Sequence, residues 1–497
     1  MCLFSGKILR CLQNFIYKGN IKMDILQNIV SSINNILWSY VLIALLIVLG
    51  LYFTIRSGFV QFRFFGEMFR LLGEGANKSI SSDRKEHKGV SSFQAFCIST
   101  ASRVGTGNLA GVAIAISTGG PGAVFWMWLI ALIGGGSSFV ESTLAQIYKV
   151  KDEHGYRGGP AYYMEKALNK RWLGVLFSIL ITVSFGLIFN SVQANTISFA
   201  FEEAFGVSRL AVGIVITVLT AIIIFGGVKR IAKVAEMIVP VMAIGYVLVA
   251  LFVVFKNINH VPAVFSLIIE NAFGIKEVAG GSVGAAIMLG IKRGLFSNEA
   301  GMGSAPNAAA TADVTHPVKQ GLIQTLGVFT DTILICSCTA FIVLLSGAYT
   351  NSKLEGIQLT QNALSSQVGS WGNTFIAICI LLFAFSSIVG NYYYGETNIE
   401  FIKANKLWLL AYRVAVVGMV IFGSIAKIQI VWDMADLFMG IMAIINLIAI
   451  SRLSHIAFAV LKDYAAQKKE GKDPVFNADS IEKLENAECW KNKKKIA

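Results

Sequence analysis

Charge is what this sequence has least of. Asp, Glu, Lys and Arg make up 14% of its 497 residues, where soluble domains carry about 25%. So few charges cannot coat a water-facing surface. With 55% apolar residues and a mean hydropathy of +0.65, the chain reads as an all-α protein that crosses a membrane many times. Cysteine is no more helpful: there are 7, mostly inside apolar runs and never at zinc or disulfide spacing, so they read as small packing residues. No HExxH, GxSxG, P-loop or dinucleotide fingerprint occurs, and no nucleophile stands beside a base. Nothing therefore supports an enzyme or calls for a cofactor. His87, His154, His260, His316 and His455 fall at loops or helix ends, where none serves a proton relay.

What the sequence has is apolar runs. About 20 apolar residues span a hydrocarbon core of roughly 30 Å, and eleven such stretches occur, near residues 36–55, 92–116, 122–146, 174–200, 209–227, 236–255, 278–301, 320–346, 371–395, 407–424 and 431–460. The net charge of +13 follows the membrane, not a nucleic acid. Segments 56–91, 146–172 and 228–235 carry 7, 6 and 3 Lys/Arg, whereas 117–121, 200–209, 346–370 and 425–430 carry 0, 1, 1 and 1. Because Lys and Arg stay cytoplasmic, this alternation puts the N-terminus outside and the C-terminus inside. Residues 462–497, ending WKNKKKIA, read as a basic, disordered cytoplasmic tail near anionic lipid. Residues 1–22 make a poor signal peptide and read as an extension upstream of a start at Met23. Then come a first span with its basic loop (23–91), a block at 92–256 and a block at 277–461.

Two spans are spoiled for lipid. The second holds Val104-Gly-Thr-Gly-Asn108, and the seventh holds Gly290, Gly294, Gly301 and Gly303 around Lys292, Arg293, Asn298 and Glu299. An unpaired backbone group in hydrocarbon costs several kcal/mol, so a break persists only where protein, water or a ligand satisfies it. Small residues also serve close helix packing, but two breaks five spans apart are harder to dismiss. Five is odd, so spans 2 and 7 run in opposite directions, and spans 2–6 and 7–11 form an inverted five-plus-five repeat after one extra N-terminal helix. Paired interruptions in inverted halves point to a transporter's midplane site, where half-helix N-termini suit a carboxylate and free carbonyls suit Na⁺.

With those residues in view, the chain closely resembles the alanine or glycine:cation symporter family of bacteria and archaea, whose members have a LeuT-type core. The resemblance covers about residues 24–465 and rests on RVGTGNLAGVA, GGPGAVFWMWLIALIG (119–134), YRGGPAYYME (156–165) and RGLFSNEAGMGSAP (293–306). It implies Na⁺-coupled uptake of a small neutral amino acid across the cell membrane, with lipid as the surrounding partner and no obligate protein partner. It implies that Gly105, Thr106, Gly107 and Asn108 hold the substrate carboxylate and that Gln193 meets its amino end. Phe296 and Ser297 would stand at the second break, Phe296 walling the side-chain pocket. Ser386 and Ser387 would bind sodium together with the carbonyls of Ala101 and Val104, an all-oxygen set suited to a hard cation. Read as residues alone, Gln193 equally suits a bridge between helices, and the serines equally suit bonds to their own i−4 carbonyls.

One departure touches specificity. Many alanine and glycine transporters of the family carry Trp before YYGE, where this chain has Asn391. An amide in place of an indole enlarges the pocket and adds hydrogen-bonding capacity, so the resemblance extends the substrate range to glutamine. Charged residues within spans, Arg103, Glu141, Arg293, Glu299, Asp331 and Glu396, are costly and face a cavity or a partner. Arg103 and Glu299 suit either a gate or a static pair. A proton-coupled or exchanging transporter of the same fold is the alternative reading.

Overall fold

The computed structural model describes residues 27–80, 90–152, 155–275, 282–351 and 353–491. Eight helices there are long and apolar enough to cross a membrane. They are α1 (Gln27–Arg56), α5 (Ala123–Ile147), α7 (Arg171–Phe205), α9 (Gly227–Lys256), α13 (Pro317–Ser346), α15 (Trp371–Ile402), α16 (Lys406–Ile425) and α17 (Ile428–Lys469). The other three expected spans are short or interrupted. Span 2 is split into α3 (Ser92–Arg103) and α4 (Gly107–Gly119), and span 5 is α8 (Arg209–Ile224). Span 7 is α11 (Val283–Asn298), a turn, and one short turn of helix, α12 (Ala305–Ala309). Between them lie α2 (Phe65–Ile80), a hairpin of β1 (Val150–Asp152) and β2 (Gly155–Arg157), α6 (Pro160–Lys166), α10 (Val261–Ala272) and α14 (Gly356–Val368).

The apolar surface is turned outward, as lipid requires. Along α9, Met237, Val241, Ile244, Leu248 and Phe252 form an exposed stripe at helical spacing. The polar residues go inside instead. Helices α4, α5, α11 and α13 pack into one group, and α7, α8, α15 and α16 into a second. The groups meet where α3 lies against α15, which places the break after Arg103 at their seam.

Three readings need correction. First, α1 is already helical at Gln27, well before 36, because its early polar turns are tied to α17: Asn34 Nδ2 donates to the Asp433 carbonyl at 2.8 Å and Trp38 Nε1 to that of Asp436 at 3.2 Å. Residues 1–22 lie outside the described residues. Second, the region after α17 is not a disordered tail. The Phe476 N–H donates to the Thr315 carbonyl at 2.9 Å, Trp490 Nε1 to that of Gln146 at 2.8 Å, and Lys166 pairs with Glu488 at 2.7 Å. A buried Phe476 and a half-buried Trp490 outweigh a lysine-rich composition; the run 492–497 lies outside the described residues. Third, the loop read at 346–370 contains α14, whose Thr360 hydroxyl donates to the Leu109 carbonyl at 2.9 Å and holds α4 in place.

Candidate functional site

The first break is two residues of backbone. Ser91 and Gln94 cap α3 reciprocally and fix its start. Its end comes at Val104, whose extended conformation (φ −80°, ψ 93°) stops the helical ladder. Glycine is required at 105 because a Cβ there would meet Ser387 Oγ and lie 2.8 Å from Gln193 Oε1. The amides that the break frees are not left bare: Gly105 N–H donates to Asn108 Oδ1 at 2.8 Å and Thr106 N–H to Gln193 Oε1 at 2.9 Å. Gln193 thus points an oxygen, not a nitrogen, at the broken helix. The carbonyl ends converge on α15, where Ser387 Oγ lies 2.9 Å from the Ala101 oxygen and 3.4 Å from that of Val104.

Of the four residues expected to bind sodium, the structure brings together Ala101, Val104 and Ser387 but not Ser386. Both hydroxyls lie near the Phe383 carbonyl of their own helix, Ser386 at 2.8 Å and Ser387 at 3.0 Å, but only Ser387 also reaches the oxygens of the broken helix. Adjacent residues on a helix are about 100° apart, so only one of two neighbouring serines can face a given seam. Asn391, one turn farther along α15, is buried. Its Oδ1 lies 2.7 Å from Ser102 Oγ, while its Nδ2 is without a partner. The Thr106 hydroxyl is likewise buried and unpartnered.

The second break begins later than expected. Residues 293–298 are continuous α11, buried rather than turned to lipid, and the chain departs at Glu299, a left-handed residue (φ 58°), followed by Gly301 and Gly303 at φ 85° and 86°. Gly290 and Gly294 are packing glycines: a Cβ at Gly294 would lie 2.7 Å from Ile130 on α5. Phe296 and Ser297 therefore stand in the last turn of the helix, not at the break. The Phe296 ring packs between Phe189 (4.9 Å) and Trp432 (4.8 Å), and a Cβ at Gly107 would meet it at 3.0 Å. Glu299 lies 2.8 Å from Ser102 Oγ and 2.5 Å from Ser304 Oγ.

Two carboxylates organise these parts in ways their sequence positions did not disclose. Asp331 sits in a π-helical stretch of α13, Phe329–Cys336, a local widening often found at functional sites. Its oxygens accept from Asn108 Nδ2 at 2.6 Å and from Ser297 Oγ at 2.8 Å, so it touches the residues flanking both breaks. Glu141, on α5, accepts the Gly301 and Gly303 N–H groups at 3.1 Å each and Asn446 Nδ2 at 2.8 Å. Arg103 donates to the Gln324 carbonyl at 3.1 Å instead of pairing with Glu299. Arg293 makes a fork to Asp436, both bonds 3.0 Å. A buried acid in an apolar run announces that it has a partner, but not which one. Beyond the spans, Lys149 donates to the Ala312 carbonyl at 2.9 Å and lies over the Tyr156 ring; burial lowers its pKa from 10.5 to about 8.

What the arrangement offers is a pair of amides held by replaceable neutral side chains, next to a cluster of backbone and hydroxyl oxygens, at the seam of two helical groups. Comparison with known proteins agrees in kind. The model of the sodium:alanine symporter family matches residues 23–478. The chain is 60% identical to the probable sodium/glutamine symporter GlnT of Bacillus subtilis (strain 168), covering 94% of this chain and 96% of that one. It is 61% identical to the amino-acid carrier protein AlsT of the same organism, covering 93% and 97%. Among solved structures, a Na⁺-coupled sialic acid symporter in a substrate-bound outward-open state shares the fold at a TM-score of 0.50 and 14% identity, covering 85% of this chain and 93% of that one. These relatives are transporters, not enzymes.

Proposed function

The chain belongs to the sodium:alanine symporter family, and on that premise we propose that it is a Na⁺-coupled symporter of small neutral amino acids, alanine and glycine with glutamine included, working by alternating access. The observation that carries this reading is the first break: its amides face exchangeable side-chain oxygens while its carbonyls gather around Ser387. Na⁺ takes the Ala101 and Val104 carbonyls with the Ser387 oxygen, fixing the end of α3. The substrate carboxylate then takes the Thr106 N–H from Gln193, whose released Oε1 turns to the ammonium. Phe296 and Asn391 bound the side chain, Ser297 and Gly107 the floor. Eleven spans in an inverted repeat fit the packing, since α5, α7 and α8 each pack on the helix five spans later: α13, α15 and α16. The face with the Lys/Arg-rich loops and the C-terminus is cytoplasmic in this reading.

Proton coupling is the second reading. Asp331, fully buried between both breaks and bonded only to neutral groups, is the observation that favours it. Proteoliposomes loaded to impose a Na⁺ or an H⁺ gradient separately decide the matter: accumulation of labelled alanine, competed by glutamine, under Na⁺ alone is expected. Accumulation under H⁺ alone removes the first reading, and no accumulation under either removes both.

A further inference from the structure

A cavity of about 220 Å³ opens between the two helical groups, on the face that the Lys/Arg-rich loops make cytoplasmic in the reading above. Its walls come from both: Thr311, past the second break, on one side, and α15 and α16 on the other, with Asp152 and Arg157 of the β1–β2 hairpin also lining it. Charges of both signs line it. Arg157 forks between Asp152 (2.5 Å) on its own hairpin and Glu400 (3.1 Å) on α15, and Arg413 bonds Glu396 at 3.1 Å. With a rise of 1.5 Å per residue, Glu396 and Glu400 stand about 8 and 14 Å beyond Asn391 along the same helix. Val90 and Leu409 add apolar wall.

We propose that this cavity is a second stop for the transported zwitterion on its way to the cytoplasm, with Arg157 holding its carboxylate and Glu400 its ammonium. The inference rests on the reading of the protein as an amino acid symporter. Among the described residues, the Arg157–Glu400 pair is where a guanidinium on the hairpin meets a carboxylate on α15. A zwitterion entering between them replaces one ion pair by two, so neither charge is stranded. A neutral or singly charged solute does not do this. Arg157 keeps its bond to Asp152 throughout, which leaves a second edge of its planar fork for the incoming carboxylate. The apolar wall accepts the side chain, and the volume leaves room for water around a molecule the size of alanine or glutamine.

The test separates the two ends of the transport path. Full-length protein is reconstituted, and half-saturating concentrations of labelled alanine and of glutamine are measured from the outside (uptake) and from the inside (efflux and exchange). Loss of one charged hydrogen-bonding partner in Arg157→Ala is expected to raise the internal value about tenfold more than the external one. Glu400→Gln, which preserves shape, should do the same, and Arg157→Lys, which keeps the charge but not the planar fork, should recover only a minor part of the loss. Equal shifts on both sides, or none, overturn the proposal, since a purely structural ion pair has no reason to distinguish them. If Arg157→Ala does not fold, Glu400→Gln carries the decision. Parent protein that fails to accumulate amino acid under a Na⁺ gradient overturns the symporter reading instead, so the two failures are distinguishable.

Discussion

The two breaks solve the same problem with different materials. In the first, between α3 and α4, the freed amides are met by the side-chain amides of Asn108 and Gln193. In the second, after α11, the Gly301 and Gly303 amides are met by the carboxylate of Glu141, itself braced by Asn446. A neutral amide oxygen is readily exchanged for a ligand's carboxylate, whereas a buried charge-assisted cap is costly to remove. We therefore read the first break as the working site and the second as a fixed pivot that presents Phe296 and Ser297 from a rigid final turn.

The comparison can be broken most forcefully at the pivot. Glu141→Ala leaves the Gly301 and Gly303 amides without their acceptor, at about 1–3 kcal/mol for each buried unpaired group, and leaves Asn446 Nδ2 only the Gly301 carbonyl. The expected result is loss of folded protein in detergent, read by thermal unfolding, with Glu141→Gln partly recovering; a parent-like melting curve for Glu141→Ala would mean that the pivot is not held this way. At the working break the same logic predicts lost function in a folded protein. Gly105→Ala drives a methyl into Ser387 and Gln193, and uptake should fall more than about 100-fold, equivalent to roughly 2.7 kcal/mol, with little change in melting.

Subtler substitutions sharpen the contrast. Ser387→Ala should raise the half-saturating Na⁺ concentration about tenfold, some 1.4 kcal/mol, while Ser386→Ala, whose hydroxyl serves its own helix, should change it less than about twofold. Equal effects would reverse the assignment. Asn391→Trp should lower glutamine uptake relative to alanine uptake, and undiminished glutamine transport would remove Asn391 from the specificity argument. The smallest effect is on pH dependence near the pivot. Burial depresses the Lys149 pKa from 10.5 to about 8, so between those values the unfolded chain binds more protons than the folded one. Stability should rise with pH across that window, and Lys149→Met should flatten the slope measured by thermal unfolding.

How far the chain could be read without its structure depends on how local each signal is. Span 2 broke where its glycines clustered, because Val104, Gly105 and Thr106 sit in one continuous apolar stretch with nothing else to explain them. Span 7 misled, because Gly290 and Gly294 look like breaks but serve contact with α5, while Gly301 and Gly303 make the turn. The adjacent serines looked equivalent, and helical geometry separates them. Glu141 and Asp331 were marked as costly charges whose partners stayed unnamed, for Gly301 lies 160 residues from Glu141 and Asn108 lies 223 residues from Asp331. The tail was misread from its lysines, since Phe476 and Trp490 are two residues in a polar background.

Apolar length and glycine's cost in a helix are properties of a short segment, so residence in a membrane, the approximate place of the long helices and the opening near Gly105 were legible without any tertiary contact. Only the tertiary structure decided which oxygens answer the opened backbone. Hydrogen bonds form between neighbours in space, and the folding of α5, α7, α13 and α15 against the breaks is what makes Glu141, Gln193, Asp331 and Ser387 neighbours.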